Sequence, residues 1–276
     1  MLRWLVDRNR AAPARETPPP ADAGLASISF PKFREGVPSD QAAVDLFKGR
    51  WASSFPKALG LVAGDAPHFT DAPQPGQAAA AFGGGRLDGF KALDLGPLEG
   101  GQTYQLERLG AYVVGVEGNA EGYLKCLIAK EILGMRSRFL LGDFLAYMDA
   151  AGPDAFDLVM ASGVLYHMAE PLRLIELVCR CAPRSLVWTH YYDPELCADY
   201  HEEAIGHPKL TIPHFRKGYG DRIHGKFWGG LADSACWLRR EDIIAAFQAL
   251  GHRKVEVVAE DRAHPHGPCI TLATQR

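Results

Sequence analysis

Between Lys91 and His190 one pattern repeats and leaves few folds open. "KALDLG", "YVVGVEG", "SRFLLGD", "FDLVMASG" and "RSLVWTHYY" are short, unbroken apolar runs. "GQTYQLERLG", "AEGYLKCLIAKEILG" and "AEPLRLIELVCRCA" lie between them with helical periodicity. Gly110 and Gly134 close two of these helices, and Pro171 opens the third where a missing N–H costs nothing. Strands that are apolar throughout and alternate with helices form a parallel sheet covered on both faces. After an insert (193–239) come a helix, "REDIIAAFQALG", and two strands, "KVEVVAED" and "GPCITLATQ". The last two are joined only by "RAHPHG", too short for a crossover helix, so the final strand must run antiparallel. The pattern predicts an α/β fold: a Rossmann-like, doubly wound sheet, mostly parallel, with one antiparallel C-terminal strand.

Upstream the texture differs. Residues 1–24, with "AAPARETPPPADAG", lack apolar periodicity and read as a flexible leader. Residues 25–89 read as an N-terminal attachment with one short helix near Asp40 to Phe47, and residues 90–276 as the catalytic domain. The N-terminal apolar stretch is too short for a signal peptide, and no run approaches the ~20 residues of a membrane span. The six cysteines show no paired zinc spacing and sit in apolar surroundings, as reduced core thiols do. The expected compartment is the cytoplasm. A net charge of −3 gives no global attraction to nucleic acid or anionic membrane.

Ligands of open α/β sheets sit beyond the carboxyl ends of the strands, where the strand order reverses. The first strand ends in "DLGPLEGG", which holds Asp94, Gly96, Pro97, Glu99 and Gly100. Its glycines would let backbone N–H groups approach an anionic group near a helix N-terminus. Leu98 fills the place where a dinucleotide loop keeps its middle glycine. Glu117, followed by Gly118, lies 23 residues beyond Asp94, near the interval at which an acid meets ribose hydroxyls. Asp143 suits an adenine amino group with Phe144 over the ring, and Ser162 ends the fourth strand. Each acid alone reads equally as a helix cap or a solvated turn. In this order, on a sheet ending antiparallel, they point to S-adenosylmethionine. Glu99 is expected to accept from the cofactor's α-ammonium.

From Lys91 to Gln275 the sequence resembles class I S-adenosylmethionine-dependent methyltransferases. "GYLKCLIAKEILG" and "ASGVLYHMAEP" resemble the branch that includes the tRNA wobble-uridine carboxymethyltransferase, and "LGPLEGG" is similar to methyltransferases of bacterial surface-polysaccharide clusters. The resemblance implies cofactor contacts at Gly96, Glu117, Asp143 and Tyr166. Leu98 in place of glycine is the departure.

On the acceptor side, "GVLYHM" places Tyr166 and His167 past the fourth strand, and "WTHYYD" places His190 and Tyr192 past the fifth. Histidine is the natural proton acceptor near neutral pH, so Tyr166, His167 and His190 are the candidate catalytic residues. Each histidine alone is as consistent with a cap or a backbone bond. The His167–His190 pair has no third ligand at a fixed spacing, and no metal is expected. The run "HPKLTIPHFRKGYGDRIHGK" is basic and interleaved with aromatics; as part of a lid it suits an anionic acceptor through Arg216 and Lys217. Trp228 in "FWGG" reads as a pocket wall or hinge, Trp51 equally as a flap over the cofactor or as surface packing, and His264 and His266 as turn residues at the cleft mouth. The expected activity is methylation, at oxygen, of a small or sugar-like acceptor, anionic in character. Nucleic acid is disfavoured as a partner. The rivals are a tRNA-modifying enzyme and one that cyclises the sulfonium or transfers its aminocarboxypropyl arm.

Overall fold

The computed structural model describes residue 30 and residues 32–197, 200–204, 207–219 and 230–276. The flexible-leader assignment falls outside them, as does Trp228. Among the described residues ten strands form two sheets. The main sheet contains β1 (Lys91–Leu95), β2 (Tyr112–Glu117), β3 (Arg138–Leu141), β4 (Leu158–Ser162) and β5 (Arg184–His190). β9 (Lys254–Asp261) and β10 (Cys269–Gln275) complete it. The order is β3-β2-β1-β4-β5-β10-β9. β1 to β5 pair in parallel, and β10 lies antiparallel between β5 and β9. The short link after β9 thus does what its length requires.

Helices cover both faces. α5 (Phe144–Ala151), α6 (Pro171–Cys181) and α7 (Arg240–Leu250) pack on one side, where Leu93, Val159, Ile175, Val178, Phe247 and Leu272 share a core. α2 (Pro73–Gly83), α3 (Gly101–Arg108) and α4 (Ala120–Leu133) take the other, with Ala78, Ala79, Leu106, Met160 and Leu186 in contact beneath α2 and α3. The local signals are those of stable helices. Asn119 caps α4 by accepting from the Gly122 N–H at 3.0 Å, and Gly134 ends it at φ 63°. Pro73 and Pro171 open α2 and α6.

Two stretches hold elements that the sequence reading did not name. α2 packs against α3 and the sheet, so residues 73–83 join the sheet's helical layer. Its Ala- and Gly-rich sequence gave no apolar stripe, because small residues suffice where a helix lies close to a sheet. The insert after β5 forms a second sheet, β6-β7-β8 (His201–Ala204, Pro213–Gly218, Ser234–Trp237), all antiparallel. The predicted short helix is present as α1 (Asp40–Val44) running into a 3-10 turn, Asp45–Phe47. All six cysteines are buried and free. Among the described residues no helix is long and apolar enough to cross a membrane.

Candidate functional site

After β3 the chain returns to the other side of β1, so the carboxyl ends of β1 and β4 diverge and open a cleft. The loop Gly96–Gly100 forms its floor. Gly96 sits at φ 62°, and a Cβ there would meet Val164 Cγ1 at 2.9 Å, so only glycine fits. Leu98 takes φ 60°, the left-handed conformation normally left to glycine. It does so because its N–H donates to Glu117 Oε2 at 2.9 Å while its carbonyl faces the Cys126 thiol. The side chain departs from the glycine pattern; the backbone does not.

Glu117 is 8% exposed, and its other oxygen accepts from the Asn119 N–H at 2.8 Å. Burial raises its pKa, and the backbone donors at Asn119, Leu98 and Gly118 oppose that rise. Each carboxylate oxygen thus has a backbone donor and retains lone pairs. Asp94 lies fully buried behind the loop, accepting from the Thr103 hydroxyl at 2.6 Å. Burial, opposed by Thr103 and reinforced by the Glu117 charge, pushes its pKa up to about 7. Asp143 caps α5 by accepting from the Leu145 N–H at 2.8 Å, with Phe144 beside it as the first helical residue. Ser162 ends β4, level with Trp188 on β5. Gly118 faces Leu231 of the insert, and Gly230 lies against the His167 carbonyl, so the insert's end crosses the cleft mouth.

Glu99 contradicts its expected role. It is 1% exposed and turned away from the cleft, accepting from the Ala52 and Ser53 N–H groups at 3.0 and 2.8 Å and from Lys125 Nζ at 3.0 Å. A carboxylate this buried, with three protein donors around it, offers no face to a ligand's ammonium. It holds the N-terminal segment to the loop. Trp51 is likewise no flap: it is buried, donates from Nε1 to the Val44 carbonyl at 2.8 Å, and stacks edge-on with Phe47 and Phe55.

The acceptor side is an aromatic cluster. The Tyr166 ring lies 4.1 Å from His167 and 4.7 Å from His190, centroid to centroid. His190 stacks on Trp237 at 5.4 Å and 8°. Its Nδ1–H donates to the carbonyls of Gly267 (2.9 Å) and Pro268 (3.3 Å), which leaves Nε2 with the lone pair. His167 Nδ1 pairs with the Tyr219 hydroxyl at 2.8 Å. Burial, the neighbouring His190 and Lys217 push the His167 pKa down to about 4, and burial lowers that of His190. Both imidazoles are therefore neutral at physiological pH. Burial, with a smaller contribution from Cys269, lifts the Tyr166 hydroxyl to about 12, so it stays protonated.

The basic run divides by strand alternation. Lys217 points over the Trp237 and Tyr200 rings, at 5.2 and 5.6 Å from their centroids. Arg216 points oppositely and is committed to Glu203 Oε1 (2.6 Å) and the Ser234 hydroxyl. Lys209 leaves the site altogether and pairs with Glu176 at 3.2 Å. Tyr192 stacks on Phe215 at 3.6 Å, a structural pairing beneath the small sheet. Residues that sequence reading passed over complete the cluster: Trp188, Tyr200, Trp237 and Tyr219. Only the packing of the small sheet against the end of β5 reveals them.

Residues 93–184 match the family described as "Methyltransferase domain". Over those residues the chain carries a methyltransferase domain. The chemistry of the cleft fits S-adenosylmethionine as methyl donor: a buried acid with lone pairs to spare lies beside a left-handed loop at a helix N-terminus. Solved structures share the fold. The N-terminal domain of EvdMO1 with S-adenosylhomocysteine bound is 22% identical at TM-score 0.67, covering 86% of this chain and 94% of that one. The same domain in the presence of S-adenosylhomocysteine and D-fucose is 23% identical at 0.65, with the same coverage. Against whole EvdMO1 the values are 20% and 0.57; the likeness covers 85% of this chain but 46% of that longer one. No curated protein matches the sequence.

Proposed function

We propose that the protein methylates a hydroxyl oxygen of a small, sugar-like acceptor that carries negative charge. The observation that carries this reading is a cavity of about 380 Å³ beside the Tyr166–His190 cluster, lined by Tyr200, Trp237, Lys217 and His266. Flat aromatic faces suit the C–H surface of a sugar ring, and Lys217 above them suits a carboxylate or phosphate. The crystallisation of the EvdMO1 N-terminal domain in the presence of D-fucose is in keeping with it. In this reading Glu117 takes the ribose hydroxyls, Gly96 to Gly100 and Gly118 line the methionine and ribose, Asp143 and Phe144 meet the adenine, and Ser162 and Tyr166 flank the sulfonium. Bound S-adenosylmethionine supplies a methyl group already activated on sulfur. The chain's own task is alignment and proton removal. Tyr166 sets the acceptor in line, and His167, neutral and beside it, accepts the hydroxyl proton.

The test is release of S-adenosylhomocysteine across paired acceptors: sugar phosphates and uronic acids against their neutral parents, with bulk tRNA alongside. Lys217→Met is expected to raise KM for the anionic acceptor roughly tenfold, the value of one lost charged hydrogen bond, with kcat nearly unchanged and the neutral parent unaffected. Equal effects on both acceptors would remove the anionic assignment. Turnover that needs tRNA and falls steeply with salt would favour the RNA-modifying branch instead. Methylthioadenosine as the product would favour cyclisation or aminocarboxypropyl transfer.

A further inference from the structure

Beside this cavity three side chains far apart in sequence converge. His190 ends β5, Cys269 begins β10 directly opposite it, and His264 stands on the turn between β9 and β10. One ring nitrogen of each histidine and the Cys269 sulfur all lie within 4.8 Å of one another. His190 and Cys269 are buried and His264 is half-buried. The surroundings are those of a ligand set. His190 is anchored through Nδ1–H to the Gly267 and Pro268 carbonyls, the arrangement that fixes the tautomer of a metal-binding imidazole and presents the opposite nitrogen. The Cys269 sulfur receives a hydrogen bond from the Trp188 side chain, which holds it in place beside the two imidazoles. His264 Nδ1 accepts from the His266 N–H at 3.3 Å, a long bond that ligation would replace at little cost.

We propose that His190, His264 and Cys269 bind a divalent transition metal, zinc by ligand type, with a fourth position open toward the acceptor cavity. Two imidazoles and a thiol are too soft a set for magnesium or calcium, which take oxygen ligands. Three protein ligands with one open position is the form of a catalytic zinc site. A tetrahedral ion would bring the donors to roughly 3.4–3.6 Å of one another, so the set must close by about 1 Å. Rotation of His264 on its turn supplies that. Binding converts the thiol to thiolate, and one proton leaves to solvent as the sulfur–metal bond forms. The cavity wall includes His266, Gly267 and Trp237, which adjoin the three ligands. A water or an acceptor oxygen would therefore fill the fourth position, a role that rests on the acceptor reading; the metal site itself does not.

Motif spacing does not reveal this set, because Cys269 reaches His190 through the β5–β10 pairing and His264 through the turn that precedes β10. The test uses the full chain, stripped with chelator and titrated with Zn²⁺ by calorimetry and with Co²⁺ by absorption. One equivalent should bind, and Co²⁺ should show thiolate-to-metal charge transfer with the visible bands of a tetrahedral ion. Cys269→Ser should abolish the charge-transfer band, and His264→Ala should weaken binding at least tenfold. S-adenosylhomocysteine affinity, measured on each variant, checks that the fold persists. Absence of stoichiometric binding to the wild type, or binding that survives both substitutions, would overturn the proposal. Failure of every acceptor in the methylation screen would leave this result standing.

Discussion

Leu98 places a branched side chain where the loop demands φ 60°, and it stays there because Glu117 accepts its N–H. For an L-residue this conformation costs about 1–2 kcal/mol. Glycine would remove that strain but would lose about 0.5–1 kcal/mol through its freer unfolded chain. Leu98→Gly is therefore expected to change stability by less than about 1 kcal/mol, whereas β-branched Leu98→Val, poorer still at positive φ, should lose about 2 kcal/mol. Urea midpoints of the two variants check the difference; equal losses would show that side-chain packing, not the dihedral, governs the position. The sequence revealed a departure at Leu98 but not its resolution. A missing glycine reads as a missing conformation, and only the paired carboxylate tells otherwise. The same holds for Glu99. Its place in a ligand loop suggested a ligand contact, and the partners that claim it lie 46 and 47 residues upstream.

Those partners make the N-terminal segment a clasp on the cofactor loop. Lys125 on α4 has no exposed side-chain surface; it pairs with Glu99 at 3.0 Å and Glu121 at 3.1 Å, and it also bonds the Arg50 carbonyl. Arg50 in turn pairs with Glu121. The cation lies 5.7 and 5.6 Å from the Phe47 and Trp51 ring centroids, so the element is held by charge within an apolar shell. Removing one member of a buried pair usually costs about 3–5 kcal/mol. Glu121 remains to Lys125, so Glu99→Gln should cost less, roughly 2–3 kcal/mol in denaturant unfolding. Cofactor affinity should fall only as far as the loop loosens. A variant as stable as wild type, with cofactor binding abolished, would restore Glu99 to the ligand site. The insert behaves oppositely as an element. Its strands carry no alternation visible before β5 and β10 are placed, because their apolar residues (Phe215, Trp237) face the aromatic cluster rather than a sheet core.

Across the whole molecule, the parallel core and its antiparallel ending were legible because each strand is short, apolar throughout and punctuated by glycine. What was hidden was whatever depends on distant pairing: α2 on the sheet, Cys269 opposite His190, and the solvation of the acids at the switch point. That last property sets a pH dependence of the fold. Asp94 titrates near 7 when folded against an ordinary value of 3.8, and Glu117 is shifted in the same direction. Below the unfolded value both states are protonated and the fold keeps its full stability. Between 3.8 and about 7 the folded state holds the extra proton, so unfolding free energy falls as pH rises. Above 7 the carboxylate is ionised in both states and the loss is complete. Other carboxylates, such as Asp45, Glu107 and Glu121, are shifted down and act only at the acidic end. His167, His190, His214 and His252, shifted down by burial, act in the same window with the opposite sign: the unfolded chain binds their protons first, so they add stability as pH rises. The Asp94 contribution is therefore read by difference: relative to wild type, Asp94→Asn should gain stability as pH rises from 5 to 7, at up to about 1.4 kcal/mol per unit. The Asn side chain cannot ionise yet still accepts from Thr103, and the histidines and Glu117 are common to both proteins, so the difference between the two profiles reports Asp94 alone. A slope unchanged in Asp94→Asn would show that the loop's acids are solvated in the free enzyme and that the cleft opens to water before the cofactor enters.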